Sequence, residues 1–489
     1  MIFNSLEFLF LFLPFSIFTY YFFSKKLKNF SLLWILLLSI IFYLLLSPIF
    51  LIYLIISIIL NYQFGNLISK NFIKNKKYSK KILIFSILLN ILYLGFFKYY
   101  NFFSDVLNDI SLINLPYLKI LLPLGISFYT LQQIMYLVQC YNENLDKKIV
   151  KNFQIYFLHI IFFPKIIAGP ILSYEEFAPQ FKKKNIKINY TNLYKGFFLF
   201  TIGLFKKVII ADNLAYWNDN GFLNYQNLNF FESWILCFSY VFQLYFDISG
   251  YADMAIGLSL IFGIIIPINF NSPFKQTNIS NLWNSWHMTL TKFINNYIYK
   301  PIAFSFENIS EYKIAFAIIC TMTIAGLWHG ANWTFVVFGM LNGFGIAIYH
   351  FVKKLNFNIN NKLSIFITFT FFSITILFFR VEDVQSGFSI LTSMFNFKNI
   401  VLPGNLYELF GFLESYNIKF GTWSYSLRGD KKLLFFLALS FYLIFFCKNS
   451  NDLTQKLKPN FINSAFIVIM FVISIMFINN SNENIYFQF

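Results

Sequence analysis

Residues 31 to 64 read SLLWILLLSIIFYLLLSPIFLIYLIISIILNYQF, two apolar stretches at 31–47 and 49–64 that meet at Pro48 without a charged residue in either. A helix needs roughly 20 predominantly apolar residues to cross the hydrocarbon core of a bilayer. Outward from this pair, similar runs recur at 6–23, 82–97, 119–139, 153–172, 194–211, 231–247, 251–267, 313–328, 331–350, 363–379, 432–447 and 461–478. Hydrophobic residues make up 58% of the 489 and charged ones 12%, with a mean hydropathy of +0.61. A soluble fold has no means of hiding that much apolar surface. The chain is therefore expected to be an all-α polytopic membrane protein, a single integral membrane domain over 1–489.

Several runs are short or broken, at Pro123 with Gly125 and at Pro164 with Gly169 and Pro170. Some should enter and leave on one side as re-entrant segments, which brings the expectation to about 11–13 transmembrane helices. Backbone that is not helical at membrane depth survives only where protein buries it or where it lines a wet cavity. Residues 269–302 differ from their neighbours: polar overall, with Leu282, Trp286, Leu290, Phe293 and Tyr297 at helical spacing. That pattern predicts an amphipathic or re-entrant segment and not a span. The mixed stretch 398–431 reads as an external or interfacial loop.

The net charge of +17 sits in short loops: Lys25, Lys26 and Lys28; Lys74, Lys76, Lys77, Lys80 and Lys81; Lys147 and Lys148; Lys182 to Lys184; Lys353 and Lys354. This is the positive-inside pattern. It places the N-terminus outside and the first loop inside, and marks Phe8 to Phe23 as a span, since no basic residue precedes it and no small-residue cleavage site follows. With only Arg380 and Arg428 as arginines, the forks that grip phosphates are missing, so no nucleic-acid partner is expected. Cys140, Cys237, Cys320 and Cys447 stand singly, which suggests neither a disulfide framework nor a metal site.

Ionisable side chains inside apolar sequence are costly, so those present are the first candidates for chemistry. The richest stretch is AGLWHGANW, residues 325–333, where glycines flank His329 and Trp328 and Trp333 stand to either side. An imidazole titrates near neutrality and can take a proton from a hydroxyl as its oxygen attacks a thioester. The alternative is a histidine that only hydrogen-bonds a neighbouring helix. A second histidine, His287, lies in WNSWHMTLT, residues 283–291. On a helix Trp283, His287 and Thr291 would share one face; the residue either orients substrate or anchors an amphipathic helix. Asp247 and Asp253 flank Gly250 beside Tyr251, able to bind a cation or support a histidine, with a structural network with tyrosine hydroxyls as the favoured reading. His159 and His350 have ordinary apolar neighbours and read as structural. Neither a nucleophile elbow nor a Walker A loop is present.

At the two histidine motifs the sequence resembles the membrane-bound O-acyltransferase (MBOAT) family, in particular its bacterial alginate and peptidoglycan O-acetyltransferase branch. The segments that carry the likeness are WNSWHMTLTKF with NNYIYKPI, and GLWHGANWT. PLGISFYTLQ from Pro123, FPKIIAGPI from Phe163, LFKKVIIADN from Leu204, FDISGYADMAIG from Phe246, FFR from Phe378 and the terminal IYFQF agree in order. The resemblance implies helices in a ring around a central tunnel, with His329 as the essential histidine and His287 as a second polar position. Trp328, Asn332, Trp286, Trp283 and Trp333 would line the tunnel, and Asp247, Asp253 and Tyr251 would form a supporting network. It further implies acetyl-CoA as donor substrate, with no permanently bound cofactor. The implied partner is a periplasmic SGNH-hydrolase-like acetyltransferase, the location a bacterial inner membrane, and the acceptor a cell-envelope polysaccharide. The stretch TLTKFINNYIYKPI is more like the peptidoglycan subgroup than the alginate one. Asn295-Asn296-Tyr297 replaces the usual Arg-Asp-Tyr, and Gln139-Cys140-Tyr141 stands where an acidic residue is common, so roles built on those charges do not carry over. A rival of another class is a permease that performs no acyl transfer.

Overall fold

The computed structural model describes residues 1–26, 30–110, 114–142, 152–181, 188–308, 310–355, 357 and 359–478. Lys28, the lysine loops at 147–148 and 182–184, and the terminal IYFQF lie outside the described residues. The described residues are mostly helical; the one sheet among them is a two-stranded parallel ladder pairing Val401–Pro403 with Lys419–Gly421, inside the stretch expected to form an external or interfacial loop.

Six helices are long and apolar enough to cross a membrane among the described residues: Phe8–Lys25, Pro48–Lys74, Lys76–Asp109, Glu311–His329, Trp333–Lys354 and Asn361–Phe379. A seventh appears if Lys431–Phe446 and Ser450–Lys456, bent by 57°, are one span. Phe30–Leu46 and Phe461–Phe477 are shorter apolar helices. The polytopic all-α class is therefore as expected, while length and composition give fewer whole spans than the apolar runs suggested. The difference has identifiable sources. Runs 231–247 and 251–267 are not two spans: a single helix, Phe230–Ile261, runs straight through Gly250. Residues 239–259 of it are buried on every face, and packing all round overrides the cost of about 1 kcal/mol that a glycine imposes on a helix. Run 119–139 becomes helical only from Ile126, and run 153–172 only over Phe153–Ile161.

The described residues divide into two compact units, one of 1–204, 251–268 and 454–478, the other of 205–250 and 269–453. In the first, the two predicted breaks meet. Gly125 has φ +74°, and a Cβ there would lie 2.4 Å from the Ile166 carbonyl oxygen, so only glycine permits this approach. The irregular backbone from 162 to 173 is buried throughout, the condition under which such backbone is tolerated at membrane depth. Its amides and carbonyls find side chains: the Phe163 N–H donates to Ser39 Oγ at 3.2 Å. In the same unit Asn61 and Asn90 exchange amide hydrogen bonds of 3.2 and 2.7 Å, and Ser57 donates to Gln133 at 2.9 Å. These bonds join Pro48–Lys74, Lys76–Leu94 and Ile126–Tyr141 by polar contacts that have no competing water in an apolar medium.

The second unit holds a helical hairpin, Glu311–His329 against Trp333–Lys354. Small residues let the two backbones touch: a Cβ on Gly326 would sit 2.2 Å from the Phe335 carbonyl oxygen, and one on Gly339 2.3 Å from that of Met322. This is the close packing that small residues provide between membrane helices. At the far end of the hairpin Lys354 pairs with Glu311, so the lysine-rich end and the His329 end are a helix length apart, about 28 Å for 19 residues at 1.5 Å each.

Candidate active site

His329 is the last residue of its helix; Gly330 takes an extended conformation, and Asn332 caps the next helix by accepting from the Thr334 N–H at 3.0 Å. The side chain is thus fixed at the tip of a tight hairpin, with 7% of its surface exposed. Its ring meets Trp328 at 4.9 Å, Phe379 at 5.0 Å and Phe338 at 6.4 Å, all edge-on. Phe379 in turn packs on Phe335 at 4.9 Å and on Phe338 at 5.4 Å. The imidazole therefore stands in an aromatic cage, a setting that excludes bulk water and restricts the ring's orientation.

Of the two tryptophans expected beside it, only Trp328 takes that place. Trp333 is 54% exposed, because the helix that starts there turns it outward, and Phe335, Phe338 and Phe379 supply the walls instead. Asn332 donates to the Glu382 carbonyl at 2.9 Å, tying the hairpin tip to the segment after Phe379.

His287 does not lie within a helix. Ile279–Ser285 ends before it, Met288–Ile294 begins after it, and His287 itself has φ +47°, so the shared face of Trp283, His287 and Thr291 does not form. Thr291 Oγ1 instead donates to the carbonyls of Trp283 and Trp286 at 3.0 and 3.2 Å, closing the kink. A positive φ on a non-glycine residue costs of order 1 kcal/mol and persists only where surroundings impose it. Here His287 is 1% exposed and faces Phe270 at 6.1 Å. Leu282, Trp286, Leu290 and Phe293 are buried as the spacing predicted. Trp283 donates from its indole to Asn342 Oδ1 at 3.1 Å and meets the Phe338 ring at 6.1 Å. Phe338 is thus common to both histidine motifs.

Asp247 is held by Lys207, whose amine lies 2.9 Å from both Asp247 and Asp212, with all three side chains nearly fully buried. Its ion-pair partner is a lysine and not a tyrosine. No α-helical spacing pointed to this, because Lys207 and Asp212 are five apart; a π-helical turn at Lys206–Ala211 brings them onto one side. Tyr251 and Asp253 belong to the first unit, where Tyr251 stacks on Phe3 at 5.1 Å. Sequence reasoning also passed over Lys165 of that unit, wholly buried, hydrogen-bonded to Gln132 and 6.0 Å from the Phe177 ring centroid. His159 is buried beside the same phenylalanine, at 5.2 Å. Among the described residues no group of three His, Cys, Asp or Glu side chains is placed to hold a metal.

The arrangement offers one caged imidazole at the end of a rigid hairpin, suited to proton transfer. The model of the membrane-bound O-acyltransferase family matches residues 150–360, which include both histidine motifs. A peptidoglycan O-acetyltransferase of Helicobacter pylori is 36% identical, covering 100% of this chain and 97% of its own. A probable alginate O-acetylase of Pseudomonas aeruginosa is 34% identical over 81% of this chain and 75% of its own. A teichoic acid D-alanyltransferase of Bacillus subtilis is 28% identical over 48% and 60%. With a full-length relative at that identity and a family match over both histidine motifs, the chain is an acyl-transferring enzyme and belongs to the membrane-bound O-acyltransferase family.

Proposed function

We propose that this protein takes acetyl from cytosolic acetyl-CoA and delivers it across a bacterial inner membrane for O-acetylation of a cell-envelope polysaccharide, peptidoglycan in the first instance. The observation that carries the proposal is the caged His329 at the hairpin tip, in a chain matched from end to end by a relative named for peptidoglycan O-acetylation. The alginate-named relatives are somewhat less similar, at 34% and 30% identity against 36%, which leaves an exopolysaccharide as the second choice of acceptor.

In the proposed step His329 accepts the proton of an incoming hydroxyl while that oxygen attacks the thioester carbonyl. A C–O bond forms, the C–S bond breaks, and the departing thiolate takes the proton back from the imidazolium. The hydroxyl belongs to a periplasmic SGNH-hydrolase-like partner, which then esterifies the glycan. Trp283, Trp286 and Trp328 shape the passage, and the edge-on rings keep the imidazole aimed along one direction, which is worth far more than raw proximity in such a reaction.

Acetyl-CoA consumption by the purified protein together with the soluble partner tests this reading. Acetate transfer with release of free CoA is expected. A permease would leave the thioester intact, and that result would end the proposal.

A further inference from the structure

His329 can take a proton only from an oxygen about 2.6–3.2 Å from one of its nitrogens, and that oxygen attacks a carbonyl carbon about 3–3.5 Å further on. The acyl carbon in the proposed transfer therefore lies within about 7 Å of the imidazole, among the rings found at that range. Those rings come from different elements. Trp328 belongs to the helix that ends in His329, and Phe335 and Phe338 belong to the other arm of the same hairpin. Phe379 alone of the four comes from outside it, from the 3₁₀ turn Leu377–Phe379 at the end of the next span. A group that enters between the hairpin and that span meets the Phe379 ring, whose centroid is 5.0 Å from that of the imidazole.

The ring has little room to retreat. Phe335 and Phe338 meet it almost perpendicularly, at 80° and 82°, and Phe379 is buried. Phe335 is itself pressed against the hairpin turn, since a Cβ on Gly330 would overlap its ring. The backbone is held as well: the Arg380 N–H donates to the Leu377 carbonyl at 3.1 Å, and the Arg380 guanidinium pairs with Asp219 at 3.3 Å. Close-packed side chains resist added volume, so a wall built this way discriminates by size. One methylene in an apolar pocket is worth about 10–200-fold between competing substrates. Relatives in the family are named for moving groups of different size, acetyl and D-alanyl.

We infer that Phe379 determines acyl specificity, its ring closing the space beside His329 so that an acetyl group fits and a propionyl or longer chain does not. The inference rests on the proposed acyl transfer from a coenzyme A thioester, and adds the residue that measures the acyl group. Phe378 supplies an internal comparison. It is buried too, but its ring packs elsewhere, on Phe388 at 5.5 Å and against Gly387.

Acyl transfer by the full-length protein in lipid nanodiscs, with the soluble partner and either acetyl-CoA or propionyl-CoA, tests it. Read as kcat/KM, the wild type should prefer acetyl by about tenfold or more. Phe379→Leu should narrow that preference about fivefold, Phe379→Ala should narrow it further, and Phe378→Leu should leave it unchanged. Phe379→Met, apolar and flexible, should also narrow it and serves where the smaller side chains do not fold. A wild type that uses propionyl as readily as acetyl would overturn the inference. So would a folded Phe379→Leu or Phe379→Met protein with an unchanged ratio, or equal narrowing by Phe378→Leu. Variants that raise the KM for the partner while the acyl ratio stays fixed would also overturn it, since Phe379 would then face the acceptor. Wild-type protein that consumes neither thioester ends the proposed function and this inference together, whereas acetyl transfer with a ratio that Phe379 does not control ends the inference alone.

Discussion

His329 and Trp283 face the same phenyl ring, that of Phe338, at 6.4 and 6.1 Å between centroids. One residue thereby couples the hairpin that ends in His329 to the kinked segment that carries His287. Trp283 is pinned in turn by Asn342, itself wholly buried and bonded to the Phe338 carbonyl at 2.9 Å.

Trp283→Phe keeps the ring packing but removes the indole donor, leaving the buried Asn342 oxygen unsatisfied. The expected cost is about 1–3 kcal/mol, read as a lower unfolding midpoint in detergent. Adding Asn342→Leu should recover part of it, because an apolar pair leaves no orphaned acceptor; a double variant no better than the single one would show that the indole–amide bond is not the cause.

The Lys207 amine between Asp212 and Asp247 is the sharpest electrostatic feature of the second unit. Lys207→Met would take the cation from between two buried carboxylates and should destabilise by about 3–5 kcal/mol, with a large drop in folded yield. Unchanged yield and midpoint would mean that the two acids are accommodated by other means.

Gly326 tests the hairpin's close packing. Gly326→Val places new atoms where the Phe335 carbonyl already sits and should cost about 1–3 kcal/mol or more. Because His329 is one turn further along the same helix, acyl transfer should fall by more than the folded fraction does; a loss of activity that only follows folding would contradict this.

How much of this was legible beforehand varies with the kind of signal. The apolar runs gave the class, and the Pro and Gly breaks at 123–125 and 164–170 marked the irregular backbone, because those residues constrain the chain locally. His329 stood out because a charged-type residue in apolar sequence is rare. Its cage did not: Phe379 and Phe338 are ordinary apolar residues until the chain folds them together. The kink at His287 was invisible because the apolar spacing continues on both sides of it, and a left-handed backbone at histidine has no sequence mark. Lys207 with Asp212 escaped for the opposite reason, a spacing of five that fits no α-helical face. Gly250 misled, since its local cost is overridden by burial on all sides.

Asp383 caps Val384–Met394 on the segment after the last long span, accepting from the Ser386 N–H at 2.7 Å and its hydroxyl at 3.0 Å. These bonds, the backbone one first, hold its carboxyl below the usual carboxylate range. A lowered folded value means the stabilisation is complete above the unfolded pKa of about 3.9 and is lost as pH falls through the folded value. Asp383→Ala should therefore cost about 1 kcal/mol at neutral pH, and the gap between variant and wild type should close in acid. A gap independent of pH would contradict the assignment.

The proposed acyl transfer turns on a proton leaving a hydroxyl for His329. The most direct measurement is acetyl transfer by His329→Ala protein, purified and shown by its unfolding midpoint to be folded, with partner and acetyl-CoA supplied at saturation. Removal of a general base costs typically about 10²–10⁴-fold in rate, and a fall of that size is expected with the folded state intact. Transfer at the wild-type rate would contradict it.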